Sequence, residues 1–259
     1  MKRILTLSIV LSLLIWVFTA CDVLVVPETL TDSVNPSDPV ESDSGVTDDM
    51  ACSEGLAYAS NGDGTCAVVG IGTCTDTDVV IPKTYNGENV TGIGDGAFQY
   101  CTGLNSIVIP DSVTSIGEHA FWECSGLTSI VIPDDVTSIG GFAFEGCSNL
   151  TSITIPDSMT SIGNSVFYGC TGLTSITIPD SVTSIGDNAI RECTGLKSVV
   201  IPDSVTSIGD CAFWGCTVLT SITFEGTVEQ WNAITKGEAW SSRVPATEVI
   251  CSDGTVSLN

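Results

Sequence analysis

Between residues 101 and 224 the apolar positions recur in one fixed order, C-x-x-L-x-x-I-x-I-P-x-x-V-x-x-I-G-x-x-A-F-x-x, with polar residues filling the gaps. In one copy the positions are Cys147, Leu150, Ile153, Ile155, Pro156, Met159, Ile162, Gly163, Val166 and Phe167. Cys101, Cys124, Cys147, Cys170, Cys193 and Cys216 keep this register at 23 residues without a slip. A period of that length predicts stacked, near-identical coils, none of which can bury its apolar face alone. Within a coil, I-x-I alternates with period two, which predicts one short strand with Ile153 and Ile155 inward and Thr154 outward, paired to its copy next door. The proline closes the strand because it has no N–H for the ladder, and Asp-Ser or Asp-Asp then suits a turn. The V-x-x-I-G segment returns along the far side, its glycine expected to take a backbone geometry that other residues resist. The A-F pair then inserts the bulkiest core group.

The flanks read differently. Gly55 to Ala59, the turn Asn61-Gly62-Asp63-Gly64 and Thr65 to Val69 predict a β-hairpin at the start of the stack. Val79-Val80-Ile81-Pro82 opens the coils, with 28 residues from its proline to the next. Thr227-Val228-Glu229-Gln230 has the form of a capping box before a short helix carrying Trp231 and Ile234. A second hairpin is expected over 248–258 around Ser252-Asp253-Gly254. The organisation is therefore 1–20 leader, 21–50 spacer, 51–77 hairpin cap, 78–226 solenoid and 227–259 C-terminal cap.

The repeat resembles the BspA-type leucine-rich repeat, a bacterial surface-protein variety in which isoleucine and phenylalanine take many of the leucine positions. The resemblance covers Asp78 to Gly226 and implies a curved solenoid of about six to seven coils with parallel strands on the concave face. It implies binding more readily than catalysis.

Lys2-Arg3 followed by an apolar run from Ile4 to Phe18 has the charge and length of a secretory signal. Phe18-Thr19-Ala20-Cys21 resembles a lipoprotein cleavage box, which makes Cys21 the expected lipidated residue. Phe18 departs from the usual leucine, so an uncleaved anchor and cleavage without lipidation stay open. Residues 22–50 are rich in Asp, Glu, Ser, Thr, Val and Pro and read as a disordered acidic tether.

Seven basic and 31 acidic side chains give a net charge of −24. Loss of Lys2 and Arg3 with the leader leaves five basic groups against 31 acidic ones, or −26. Nucleic acid is excluded as a partner, and an anionic bilayer would repel the domain, so attachment falls to the lipid anchor.

Twelve cysteines in an exported chain suggest disulfides. The six on the period, however, stack about 5 Å apart with parallel side chains, whereas a disulfide needs converging Cβ groups. They read as buried free thiols. Cys52, Cys66, Cys74, Cys211 and Cys251 lie off the period and are the disulfide candidates, Cys66 with Cys74 first. No C-x-x-C occurs to suggest zinc, and no cofactor is expected. His119 is the only histidine and reads as a solvated surface group.

Asp111, Asp134, Asp157, Asp180 and Asp203 follow the prolines as a column. Either each caps its own turn, or cations such as Ca²⁺ bridge neighbours, against which stands the small number of ligands per coil. Thr114, Thr137, Thr160, Thr183 and Thr206 form an outward ladder, a wet strand face or, remotely, an ice-ordering one. The column after the core Phe is the one that varies in character: Gln99, Trp122, Glu145, Tyr168, Arg191 and Trp214. Trp, Tyr and Arg dominate interface hot spots, so Trp122, Tyr168, Arg191 and Trp214 are the candidate contact residues, with flat packing over the adjacent turn as the competing role. The expectation is an exported, non-enzymatic recognition module for a protein or glycan on host or neighbouring cells. A structural cell-envelope component is the alternative, and a hydrolase the third reading.

Overall fold

The computed structural model describes residues 52–258. The leader, Cys21 and the acidic tether lie outside the described residues. The I-x-I segments form short strands that pair in parallel with copies in the next coil, Ser152 with Ser175, Ile153 with Ile176 and Thr154 with Thr177, with breaks in the ladder between Ser129–Ile130 and Ser152–Thr154 and between Ser175–Thr177 and Ser198–Ile201. Ile153 and Ile155 are buried and Thr154 exposed, as the alternation requires. These strands run from Asp78–Val80 to Glu248–Cys251 and give about eight turns, more than the six to seven expected. The extra turn comes from the C-terminal hairpin, whose first strand stacks in parallel on Ser221–Phe224 before Gly254–Ser257 folds back antiparallel.

Each coil contains a second strand, not the single one the alternation predicts. Ser184–Ile185 pairs in parallel with Ser161–Ile162 on one side and Ser207–Ile208 on the other. Two residues are too short for a period to register. The N-terminal hairpin, Ala57–Ser60 against Thr65–Gly70, joins this second sheet through Glu88–Ile93. At the other end Thr227 caps the helix Val228–Ala233 with a complete capping box, and Trp231 is buried.

The glycine of I-G has a role other than the one expected. Gly117, Gly140, Gly163, Gly186 and Gly209 do not have positive φ. A Cβ on Gly117 would lie 2.5 Å from Asp95 Oδ1 and 2.6 Å from Asp95 N, so the glycine makes room for the preceding coil. That coil supplies an Asx side chain which reaches forward. Asp95 Oδ1 accepts the N–H of Glu118 at 2.8 Å, Asn164 Oδ1 that of Asp187 at 3.0 Å, and Asp187 Oδ1 that of Asp210 at 2.8 Å. Left-handed geometry falls instead two residues after the glycine, at His119, Phe142, Ser165, Asn188 and Cys211, and again one residue before each column cysteine, as at Glu123 and Gly146.

The core is a set of axial columns. Phe98, Phe121, Phe144 and Phe167 stack with centroids 5.3, 5.2 and 5.6 Å apart. Beside them the thiols of Cys124, Cys147, Cys170, Cys193 and Cys216 form no disulfide, and each donates to the carbonyl of a core residue 26 positions back, such as Cys124 Sγ to Phe98 O at 3.0 Å and Cys170 Sγ to Phe144 O at 3.1 Å. Their sulfurs are therefore polar partners as well as fillers. Cys66 and Cys74, the first candidate pair for a disulfide, are both buried and are not joined.

The stack is not uniform. Ladder bonds run from Gly117 to Ile93 O, Gly140 to Ile116 O, Gly186 to Ile162 O and Gly209 to Ile185 O, but none joins Gly163 to Ile139 O. The second sheet accordingly ends at Ser138–Ile139 and restarts at Ser161–Ile162. This same coil carries Met159 where neighbours have Val, and Val166 where they have Ala. Added core volume in one coil holds it off its predecessor, and a small void lined by Ile139, Met159, Ile162, Val166 and Phe167 remains.

Candidate functional site

The column after the core Phe is positioned by main-chain bonds that do not depend on its side chains. The carbonyls of Trp122, Tyr168, Arg191 and Trp214 accept from Tyr100, Gly146, Gly169 and Glu192 of the preceding coils at 2.7 to 2.9 Å. The backbone is fixed and the side chain is free to vary. All four candidates are half-buried.

Three of them come together. The Arg191 guanidinium lies 4.4 Å from the Trp214 ring centroid and 5.4 Å from that of Tyr168. Its Nη1 donates to Asn188 Oδ1 at 3.0 Å, and Nε sits 3.8 Å from Glu192 Oε1. Arg243 also lies over Trp214, at 4.5 Å from its centroid, so the cluster comprises Tyr168, Arg191, Trp214 and Arg243. Cation–π contacts of this kind hold a planar cation between ring faces. Arg243 falls outside the repeat phase, so only its place among five basic residues of the folded part could have drawn attention to it.

Trp122 belongs to a separate cluster. It lies 4.9 Å from Tyr100 and 5.1 Å from His119, and His119 stacks on Phe142 at 4.9 Å with ring planes 3° apart. His119 is thus half-buried between rings, not the solvated group expected. Glu145 separates the two clusters. Burial and the nearby Glu123 push its carboxyl upward, while His119 and the Trp122 indole draw it back.

The aspartate column stays on the surface. Asp111, Asp134, Asp157, Asp180 and Asp203 are exposed, and the turns they occupy are closed by main-chain bonds such as Val113 N–H to Pro110 O at 3.0 Å, so their carboxylates are not the caps. The next residue does more for the stack, since Ser112 Oγ and Ser204 Oγ each donate at 2.7 Å to a carbonyl of the preceding turn. Among the described residues no three His, Cys, Asp or Glu side chains converge as metal ligands. The threonine ladder is also committed inward, Thr183 Oγ1 donating to Thr160 O at 3.2 Å and Thr206 Oγ1 to Thr183 O at 3.1 Å. A shallow depression of about 610 Å³ runs along the second sheet, and the titratable groups lining it are Asp95 and Glu118. Asp95 already accepts the Glu118 N–H.

Comparison with known proteins agrees with this architecture. The family model of the BspA type leucine rich repeat region matches residues 74–194 and 119–235, with six copies. No curated protein matches the chain. Among solved structures, a leucine rich repeat protein of T. pallidum is 30% identical over 74% of this chain and 89% of its own, with a TM-score of 0.66. A leucine rich cell surface protein from Faecalibacterium prausnitzii is 32% identical over 71% of this chain, with a TM-score of 0.54, and the match spans 55% of that protein. With matching repeats over more than half its length and the same stacked coils, the chain belongs to the BspA type leucine rich repeat family.

Proposed function

We propose that this chain is a cell-surface recognition module that binds a protein or glycan through the solenoid and performs no catalysis. The observation that carries the reading is the Phe-adjacent column, where an invariant backbone ladder presents Trp122, Tyr168, Arg191 and Trp214 in place of a repeated residue. A scaffold need alone would keep one kind of residue per column, as it does for Cys and for the large apolar residues of the Phe column. A similar protein is described as a cell surface protein, which supports the location.

Alanine at Trp122, Tyr168 and Trp214 together is expected to weaken binding to a glycan array or to immobilised surface extracts by tenfold or more, with the melting temperature lowered by only a few degrees. Unfolding of the variant would assign the rings to packing instead. The leader reading makes a separate prediction. Cys21→Ser is expected to move the chain from the membrane pellet to the soluble fraction and to abolish incorporation of labelled fatty acid. Retention in the pellet without label would favour the uncleaved apolar anchor.

A further inference from the structure

The ridge formed by the Phe-adjacent column and its turns carries two aromatic clusters, and they differ in one respect. At Trp214 the ring is met by guanidinium groups, Arg191 at 4.4 Å and Arg243 at 4.5 Å, and the Glu192 carboxylate lies 3.8 Å from Arg191 Nε. Glu123 holds the position of Glu192 three periods earlier, where Tyr100, Trp122, His119 and Phe142 link their rings at 4.9 to 5.1 Å across three coils. Glu123 N–H donates to Glu145 O at 2.7 Å, and its carboxylate lies over Gly146, where an added Cβ would come within 2.7 Å of Oε1. Gly146 thus lets one half-buried acid approach another, Glu145, next to the rings. Among the described residues no lysine or arginine pairs with either, the ion pairs being His119 with Glu118 and Arg191 with Glu192. Trp122 Nε1 is buried beside Glu145 and has no hydrogen-bond partner. Burial first and Glu123 second push the Glu145 carboxyl upward, an unfavourable arrangement that a cation would relieve. Tyr100, 52% exposed, opens the cluster to solvent.

We infer that this cluster receives an arginine side chain of a partner protein, the guanidinium lying against the Trp122 and Tyr100 rings and pairing with Glu123 and Glu145. The Trp214 cluster is the chain's own precedent, with guanidinium, rings and a glutamate at the equivalent position. A planar, weakly hydrated guanidinium satisfies ring faces and carboxylates together, whereas an ammonium offers only a point charge. The net charge of −24 favours a basic partner over an acidic glycan. A second copy is not the occupant, because Arg191 and Arg243, the arginines of the described residues, already stack on rings of their own chain. The inference rests on the recognition-module reading and narrows its ligand to a protein with an exposed arginine.

The test is an NMR titration of the full, isotope-labelled chain with N-acetyl-arginine amide, read at the Trp122 indole N–H, whose resonance is identified by its loss in Trp122→Phe. A saturable shift is expected, and added salt should weaken it. N-acetyl-lysine amide should bind about fivefold more weakly, for want of the planar fork. Combined Glu123→Gln and Glu145→Gln should abolish the shift without lowering the melting temperature. Asp157→Asn with Asp180→Asn, which removes the same charge from the turn column, should leave the shift intact. No saturable shift, an equal response to the lysine amide, or binding that survives in the glutamine variant would overturn the inference, as would displacement of the arginine by equimolar Ca²⁺. Lost extract binding in the triple alanine variant without any arginine response would leave the recognition module standing and strike this inference alone.

Discussion

Raising the pH of the reduced protein above about 9 is expected to unfold it over a narrow range, because five core thiols must keep their protons for the fold to persist. Cys124, Cys147, Cys170, Cys193 and Cys216 are each fully buried and donate Sγ–H to a carbonyl of an earlier coil at 3.0 to 3.2 Å. Burial pushes every one of them upward, Cys216 to about 12 and Cys124, Cys147, Cys170 and Cys193 well above the ordinary thiol value, with an adjacent thiol in the column as the next cause for those four. In the unfolded chain the same groups titrate near the ordinary thiol value of 9.0. Below that value both states hold the protons and the thiols impose no pH dependence. Above it the unfolded state loses five protons that the folded state retains, so stability falls by roughly 1.4 kcal/mol per group per pH unit, about 7 kcal/mol for the column. Total stability of a domain is commonly about 5–15 kcal/mol, so one to two pH units exhaust it. Tyr58, pushed to about 12 chiefly by burial, acts in the same direction. Urea midpoints measured in reductant between about pH 8 and 11 check this. Cys170→Ser should remove about one fifth of the slope, since a hydroxyl keeps its proton throughout. A midpoint constant to about pH 10.5 would contradict the column's role.

What the sequence showed, and what it hid, follows from how each feature repeats. Ile153, Ile155, Phe167 and Cys170 announce themselves because the same core constraint acts in every coil, and the period converts it into a signal. Thr227 and Gln230 were legible for a local reason, the reciprocal bonds of a capping box. The second strand was missed because Ser-Ile is too short to alternate. The purpose of Gly117 was misjudged because crowding against Asp95 lies between coils, a relation that no local propensity encodes. The pairing of Arg191 with Tyr168 and Trp214 could have been read from their common column, 23 residues apart, whereas Arg243 reaches Trp214 from outside the period. His119 looked solvated because its neighbours Glu118 and Ala120 are uninformative, and its stacking partner Phe142 lies one coil away.

Phe167→Ala is expected to destabilise the fold by about 3–5 kcal/mol and to split a single unfolding transition in two. Phe167 is 1% exposed and ends an aromatic stack that begins at Phe98 and gives way to Ile190 in the next coil. Its ring lies 5.6 Å from Phe144, directly across the junction where the second sheet is interrupted. On that side the junction lacks the bonds from Thr160 to Thr137 O and from Gly163 to Ile139 O that every neighbouring pair of coils possesses. What remains are the ridge-side bonds Phe142 N–H to Asn164 O at 3.1 Å, Phe144 N–H to Val166 O at 2.9 Å and Gly146 N–H to Tyr168 O at 2.9 Å, the Cys170 thiol on Phe144 O, the Ser158 hydroxyl on Val136 O, a threonine contact from Thr151 to Thr128 O, and the ring stack. In a solenoid, cooperativity is transmitted only through such nearest-neighbour interfaces, so the weakest one decides whether the halves melt together. Removing the ring enlarges a void already lined by Ile139, Met159 and Val166 and leaves the two halves joined mainly by backbone. Phe121→Ala, at an intact junction, is the comparison: a similar loss of stability with one transition. Two phases by circular dichroism in Phe167→Ala, with amide exchange accelerated first on one side of residue 160, would establish the junction as the fold's weak link. A single sharp transition in both variants would refute it.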